Sequence, residues 1–502
     1  MTATLIHMLD FRAVLTISVL IWLGSLTVLV FQVQGWWWLG LLPMLYECWL
    51  GWHLLHRGTC APSLTVVPPG GLPAVRMAVL IAARNERAAL PKTVEAVLAD
   101  LGPEDEAIVI DDGSTDDGAA VLAETFGLVW SGDEARAGTG GAGHRLRVLR
   151  RPVNRGKASA LNDGLATTGA DVVVTLDADT LIRPGALGAM RQAFTADADL
   201  VTACGVVVPT TAERGWAARI FTWFQRLEYR RSYAWRLGWS ADRCLALVPG
   251  AFAAFRRTSL QAVGGFAVDS LVEDYEVMFR LHAAARERMR TAVVADAVAW
   301  TEAPVTPSAF LRQRRRWFAG FIATMIRHRR MVGDPSLGRF GRWHLRLKTI
   351  DIGLPLVTLS VWVALVIHAL GGHVSGLAIA VVVAGKVLHD LILHGAADRL
   401  TGTRLGPAGS AGRGTTLLLV TDPFIFQPMR QLGAALGCLA ALRAQAGWVP
   451  QRSATGRDRP LTGGAGGVTP RGNPGPSPTT GAAQGVGDPS LRTTLEPGWP
   501  SR

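Results

Sequence analysis

Apolar residues are distributed unevenly along the chain, and their spacing changes character more than once. Residues 11–33 are apolar apart from Arg12 and a few Ser, Thr and Gln. About 20 such residues cross the roughly 30 Å hydrocarbon core of a bilayer, so a first membrane span is expected there. The run is too long for a signal peptide, and no small-residue cleavage site is evident. A second span is expected from Trp36 to about Leu55, opening on the interfacial anchor Trp36-Trp37-Trp38. Only Gln34 and Gly35 separate the two, which predicts a tight hairpin. His56 and Arg57 follow it; if they face the cytoplasm, so does the N-terminus.

After a Pro/Gly-rich linker at 61–74 the pattern changes. Short apolar runs, Met77–Ile81, Ala107–Ile110 and Asp171–Leu176, read as buried parallel strands. Helical segments at 87–100, 116–126 and 156–168 alternate with them, which predicts an open α/β sheet. Residues 131–145 read as a Gly-rich loop. Residues 213–239 and 308–346 mix aromatic residues with arginines, as expected of amphipathic helices at a bilayer surface; two ordinary packed helices are the alternative. Further spans are expected at about 350–370 and 375–395. Residues 415–445 are apolar but interrupted by Asp422, Pro423, Pro428 and Arg430, which leaves a kinked span, a re-entrant hairpin or an interfacial helix open.

The division expected is therefore a transmembrane hairpin at 1–60, the linker at 61–74 and a cytosolic domain at 75–305. Interfacial helices follow at 306–347, then a C-terminal membrane region at 348–446 and a disordered tail at 447–502. The tail is rich in Gly, Pro, Ser and Thr and poor in apolar residues.

Composition adds three constraints. Hydrophobic residues make up 49% of 502, which suits a membrane protein with a soluble domain better than a wholly soluble chain. The net charge is +12, carried mostly by arginines beside the apolar spans, where they read as cytoplasmic anchors rather than as a nucleic-acid surface. Lysine occurs only at 92, 157, 348 and 386, so each is a less probable piece of surface filler. The five cysteines form no C-x-x-C pair and no zinc spacing, consistent with a reducing cytosol.

Candidate chemistry gathers where strands end, since ligands of open α/β sheets bind beyond their carboxyl ends. The first strand ends in Ala82-Ala83-Arg84-Asn85-Glu86, which alone reads better as a helix cap. The second ends in Asp111-Asp112-Gly113-Ser114, carboxylates able to grip a ribose or a base edge. Asn154-Arg155-Gly156-Lys157 opens a helix, with Lys157 able to neutralise a diphosphate. Asp177-Ala178-Asp179 offers hard oxygen ligands that suit Mg²⁺ or Mn²⁺. Glu273-Asp274 supplies a candidate general base, or a helix start favoured by acids. Gln313-Arg314-Arg315-Arg316-Trp317 offers a flat ring for a sugar and guanidiniums for phosphates.

Taken in order, these segments resemble the family 2 processive glycosyltransferases, the group that includes poly-N-acetylglucosamine, hyaluronan, chitin-oligosaccharide and cellulose synthases. The resemblance covers about residues 75–345. Pro249–Arg257 followed by Val263-Gly264-Gly265-Phe266 resembles the bacterial poly-N-acetylglucosamine synthases in particular. Val272 stands where the family usually has the threonine of Thr-Glu-Asp. The resemblance implies a GT-A-type, Rossmann-like domain inserted between transmembrane helices of a multi-pass protein of the plasma or inner membrane. It also implies roles. Ala83, Arg84, Asn85, Glu86, Asp111 and Asp112 would meet the nucleotide, and Lys157 the diphosphate. Asp177 would face the donor and share a metal with Asp179. Gly250 would line the acceptor end. Asp274, beside Glu273, would be the base of an inverting single displacement, and Gln313, Arg316 and Trp317 would gate the donor and hold the acceptor. The expected partners are a UDP-sugar, a glycan or lipid acceptor and the bilayer, with no nucleic acid. Transfer of a single sugar to a membrane lipid is the alternative activity, and an inactive nucleotide-binding membrane protein a further one.

Overall fold

The computed structural model describes residues 38–59, 75–137, 145–213, 215–371, 376–401 and 419–442. The expected span at 11–33, the linker at 61–74 and the tail from 447 lie outside these residues.

Helix α1 (Trp38–Thr59) comes first, in place of the second expected span. An α/β layer follows: β1 (Met77–Ala83), α2 (Leu90–Asp100), β2 (Glu106–Asp111), α3 (Gly118–Phe126), β3 (Leu128–Ser131), β4 (Glu134–Ala137), β5 (Leu146–Arg150), α4 (Lys157–Thr167), β6 (Val172–Asp177), β7 (Thr180–Ile182), α5 (Ala186–Ala196) and β8 (Thr202–Thr210). Next come α6 (Trp216–Ala241), β9 (Phe252–Arg256), α7 (Arg257–Ala262), α8 (Glu273–Ala285), β10 (Thr291–Glu302) and α9 (Pro307–Arg327). Three further helices close the described chain: α10 (Leu345–Leu370), α11 (Gly376–Thr401) and α12 (Phe426–Leu442).

The ten strands form one sheet in the order β3-β4-β5-β2-β1-β6-β9-β8-β10-β7. Its centre, β5-β2-β1-β6, is parallel, as the uninterrupted apolar runs predict. The flanks are not. β9 runs antiparallel between β6 and β8, and β7 runs antiparallel to β10, so the sheet is mixed. A short apolar run such as Phe252-Ala-Ala-Phe does not encode its direction, which the pairing partner alone sets. The expected loop at 131–145 is also corrected through residue 137. Gly132, at φ 63°, and Asp133 turn the chain into a hairpin, and β4 bridges β3 and β5. Helix α4 lies close against the parallel strands because Gly164 leaves room for Leu80 and Ile110, whose methyls would be 2.9 Å from a Cβ there.

The two expected surface helices are both packed. α6 lies against α1 and α11, and α9 lies along α12. Gly238 lets α6 approach the backbone of Leu54 on α1, while Gly433 and Gly437 let α12 approach Arg314 and Phe318 on α9. Phe224, Phe310 and Phe426 join three of these helices in one aromatic cluster. At the end of α6 the buried carboxylate of Asp242 collects three side chains from distant segments, the imidazole of His53 at 2.7 Å and the guanidiniums of Arg57 at 2.6 Å and Arg339 at 2.8 Å. Among the described residues, one helical segment, Phe340–Ala364, is long and apolar enough to cross a membrane.

Candidate active site

Strand register brings the motifs level with one another. Ala83 pairs with Asp111, and Ala82 with Asp177, so β1, β2 and β6 deliver their carboxyl ends to one rim. β9 enters antiparallel beside β6, with Phe252 opposite Leu176, so the turn that precedes it sets Gly250 on the same rim.

The loops after β1 and β2 are clasped together. The Asn85 N–H donates to Ser114 Oγ at 3.0 Å, and Asn85 Oδ1 accepts from the Thr115 N–H at 2.8 Å. Asn85 adopts φ 55°, a left-handed conformation that asparagine tolerates better than most residues. A small cleft between the loops is lined by Ala83, Glu86, Asp111 and Ser114. Arg84 is half-buried beside it. Asp112 has a different position. It is 3% exposed, and its oxygens accept from Arg151 Nη1 (3.0 Å), the Arg155 N–H (2.9 Å) and the Gly156 N–H (2.7 Å). That geometry makes Asp112 an anchor of the loop that leads to Lys157. Gly113 permits the arrangement, because at φ 67° a Cβ would lie 2.5 Å from the Asn154 amide. Arg151, which no short motif marks, is buried between Asp112 and Asp163.

Lys157 begins α4 and reaches across the strand ends. Its Nζ lies 2.5 Å from Asp177 Oδ1 and 3.3 Å from Glu273 Oε1. Asp274 completes the cluster, its Oδ2 accepting from the Gly250 N–H at 2.9 Å and its Oδ1 from the Tyr275 N–H at 2.9 Å. Gly250 is confined here, since a Cβ would stand 3.2 Å from Lys157 Nζ and 3.3 Å from Asp274 Oδ2. Asn162, also on α4, holds the loop before Glu273 by bonds to both the N–H (2.7 Å) and the carbonyl (2.8 Å) of Phe266.

The charges act on one another. Burial disfavours the Lys157 ammonium, but Asp177 and Glu273 outweigh it and hold its pKa above the ordinary lysine value. Burial, then the neighbouring Glu273 carboxylate, pushes Asp274 up to about 6, against the pull of Lys157 and the Gly250 N–H. Glu276, half a turn on, goes the other way. Despite its burial, hydrogen bonds from His328 and Arg280 bring it down to about 2. Neighbouring carboxyls are thus separated, and Asp274 is the one poised near neutrality.

Asp179 lies in the short link between β6 and β7. Its Oδ1 accepts from Thr301 Oγ1 at 3.2 Å, and Thr180 Oγ1 and Thr301 Oγ1 are 3.0 Å apart across the β7–β10 pairing. Among the described residues no group of three or more His, Cys, Asp or Glu is arranged to hold a metal ion.

On α9 the motif residues divide. Gln313 is 6% exposed, and Arg316 and Trp317 are half-buried. The buried guanidinium is Arg314, which pairs with Glu228 of α6 at 2.6 Å and lies 4.3 Å from the Trp317 ring centroid. Arg314 was indistinguishable from its neighbours in the sequence, because its partner lies 86 residues away. Further along α9, Gly320 and Phe321 meet Val272 and Tyr275 at the start of α8, which ties this helix to the Asp274 cluster.

The sequence model of the family described as Glycosyl transferase family 2 matches residues 78–264, and that of Glycosyl transferase family group 2 matches 172–390. The chain is 28% identical over 249 residues to a poly-beta-1,6-N-acetyl-D-glucosamine synthase of Staphylococcus epidermidis, covering 49% of this chain and 55% of the relative. It is 27% identical to the corresponding synthase of Staphylococcus aureus strain COL over the same shares. The chain thus spans about half the length of the curated relatives it matches. Among solved structures, the mannosyltransferase PcManGT of Pyrobaculum calidifontis, in complex with GDP-Man and Mn²⁺, superposes with a TM-score of 0.54 at 18% identity, covering 87% of this chain and all of that one.

Proposed function

The chain belongs to the family 2 glycosyltransferases, and we propose that it transfers a sugar from a UDP-sugar, N-acetylglucosamine or a related hexose, to a growing β-linked polysaccharide by inverting single displacement. The observation that carries this reading is the cluster of Lys157, Asp177, Glu273 and Asp274 around Gly250 at the carboxyl ends of the strands. It combines a cation for a diphosphate with a carboxylate poised to take a proton. The matched synthases support the polysaccharide and the N-acetyl sugar.

In this reading the nucleotide lies over the β1 and β2 ends, against Ala83, Arg84, Asn85, Glu86 and Asp111, on a loop braced by Asp112. Lys157 leaves Asp177 for the donor diphosphate, and Asp177 turns to the sugar. Asp179 would hold the metal, with Asp177 as the second carboxylate. A half-buried carboxylate steadied by the Thr301 hydroxyl is a hard donor, suited to Mg²⁺ or Mn²⁺ with diphosphate oxygens as the remaining ligands. Mn²⁺ in the complex of the mannosyltransferase supports that choice. When bound, the cation would offset charge building on the departing nucleoside diphosphate. The acceptor hydroxyl meets Asp274 beside Gly250, and its proton passes to a carboxylate whose pKa near 6 suits a base at neutral pH. Gln313, Arg316 and Trp317 border the acceptor side.

Membrane embedding belongs to the same proposal. Ile350, Leu356, Val363, Val366, Ile367 and Leu370 are exposed along α10, an apolar surface that a bilayer would cover. Incubating membranes with a panel of labelled UDP-sugars and sizing the product tests the reading. A long glycan is expected. A single glycosylated lipid would replace polymer synthesis with one-step transfer, and no incorporation from any donor would remove the enzyme reading.

A further inference from the structure

Gly320 lies in the middle of α9 with no charge, no hydrogen-bonding side chain and no place in any motif. Its surroundings are nonetheless tight. A Cβ at this position would lie 2.6 Å from Val272 Cγ2, 2.8 Å from Val272 Cγ1 and 3.2 Å from Leu271 Cβ. Carbon atoms do not approach so closely, so the Val272 methyls occupy the space a side chain at 320 would need.

Val272 is the residue from which α8 starts. Its N–H donates to Ser270 Oγ at 3.2 Å, and its carbonyl accepts from the N–H groups of Tyr275 (3.2 Å) and Glu276 (3.0 Å). The Asp274 carboxylate hangs from that turn and is fixed by the Gly250 and Tyr275 amides. A shift of Val272 therefore moves the helix start and the carboxylate with it. α9 is not free to retreat instead. Arg314 and Phe318 on its far side are met closely by Gly433 and Gly437 of α12, and Phe321 packs edge-on against Tyr275 with centroids 5.7 Å apart.

We infer that Gly320 is a positioning residue for the transfer reaction, its missing side chain forming the notch that seats Val272 and so fixes where Asp274 stands. The inference rests on the reading of Asp274 as the base. It also gives Val272 a purpose at the position where the family usually has threonine, namely a branched apolar side chain keyed into α9.

The test compares five forms of the purified full chain: wild type, Gly320→Ala, Val272→Ala, the double variant and Asp274→Asn. Turnover, donor KM and the pH profile are measured for each, with thermal unfolding as a check on folding. Gly320→Ala should lower kcat about tenfold or more, since small displacements of a reacting group cost that much, with donor KM within about twofold. Its acidic limb should move to higher pH as the Gly250 amide loses its grip on Asp274. Val272→Ala should restore the double variant to within about threefold of Val272→Ala alone. Wild-type turnover in Gly320→Ala, or a loss that Val272→Ala does not relieve, overturns the inference. If Gly320→Ala does not fold, the double variant decides: a folded, active double supports the notch, and a failed one overturns it. Turnover retained in Asp274→Asn removes the underlying reading instead, whatever Gly320→Ala does.

Discussion

Lys157 and Asp177, twenty residues apart in sequence, form an ion pair of 2.5 Å between the start of α4 and the end of β6. The proposed diphosphate cation and the proposed donor carboxylate thus neutralise each other, and substrate would have to separate them. Lys157→Ala should raise donor KM at least tenfold. Lys157 also pulls the Asp274 pKa down, so its removal should move the acidic limb of kcat above the wild-type position near pH 6. A pH series of initial rates reads both effects, and an unmoved limb would show that Lys157 does not act on the base.

Asp274 must be ionised to accept a proton. Wild-type kcat should therefore fall about tenfold per pH unit below about 6 and level off above it. Asp274→Asn should abolish transfer. Glu273→Gln removes a neighbouring negative charge that raises the Asp274 pKa, so its acidic limb should shift to lower pH. A shift upward would contradict the charge assignment.

Metal dependence should follow Asp179. EDTA is expected to stop the reaction and Mg²⁺ or Mn²⁺ to restore it, while Asp179→Ala stays inactive at any cation concentration. Thr301→Val removes a hydroxyl from Asp179 Oδ1. It should raise the half-saturating cation concentration about tenfold, the usual scale for a group that orients a ligand. Titrating activity against Mn²⁺ in each variant measures this.

Arg314 and Glu228 form a buried pair between α9 and α6. Arg314→Met leaves Glu228 without its closest cation and should cost about 3 kcal/mol of stability, seen as a lowered unfolding midpoint. The double change with Glu228→Leu should recover much of that loss. An unchanged midpoint in the single variant would mean that the two helices are held by their apolar contacts alone.

The sequence made the parallel centre of the fold legible because β1, β2 and β6 are buried on both faces and so read as unbroken apolar runs. It also showed the carboxylates and the lysine, since motif order places them at strand ends. What remained hidden depends on distance along the chain. The flanking antiparallel strands take their direction from partners across the sheet. The role of Asp112 depends on amides at 155 and 156, that of Asp179 on a hydroxyl at 301, and the choice of Arg314 among five consecutive polar residues on Glu228. Gly320 carries no local signal, because its meaning is the space taken by Val272.

Asp242 bears on where this chain can be cut. The carboxylate lies inside the 75–305 segment, but the three side chains that hold it come from residues 53, 57 and 339. A fragment trimmed to the sheet and its helices would leave Asp242 without the His53 imidazole and both guanidiniums. The smallest autonomous unit is therefore bounded by the partners of Asp242, and it reaches back into α1 and forward past α9.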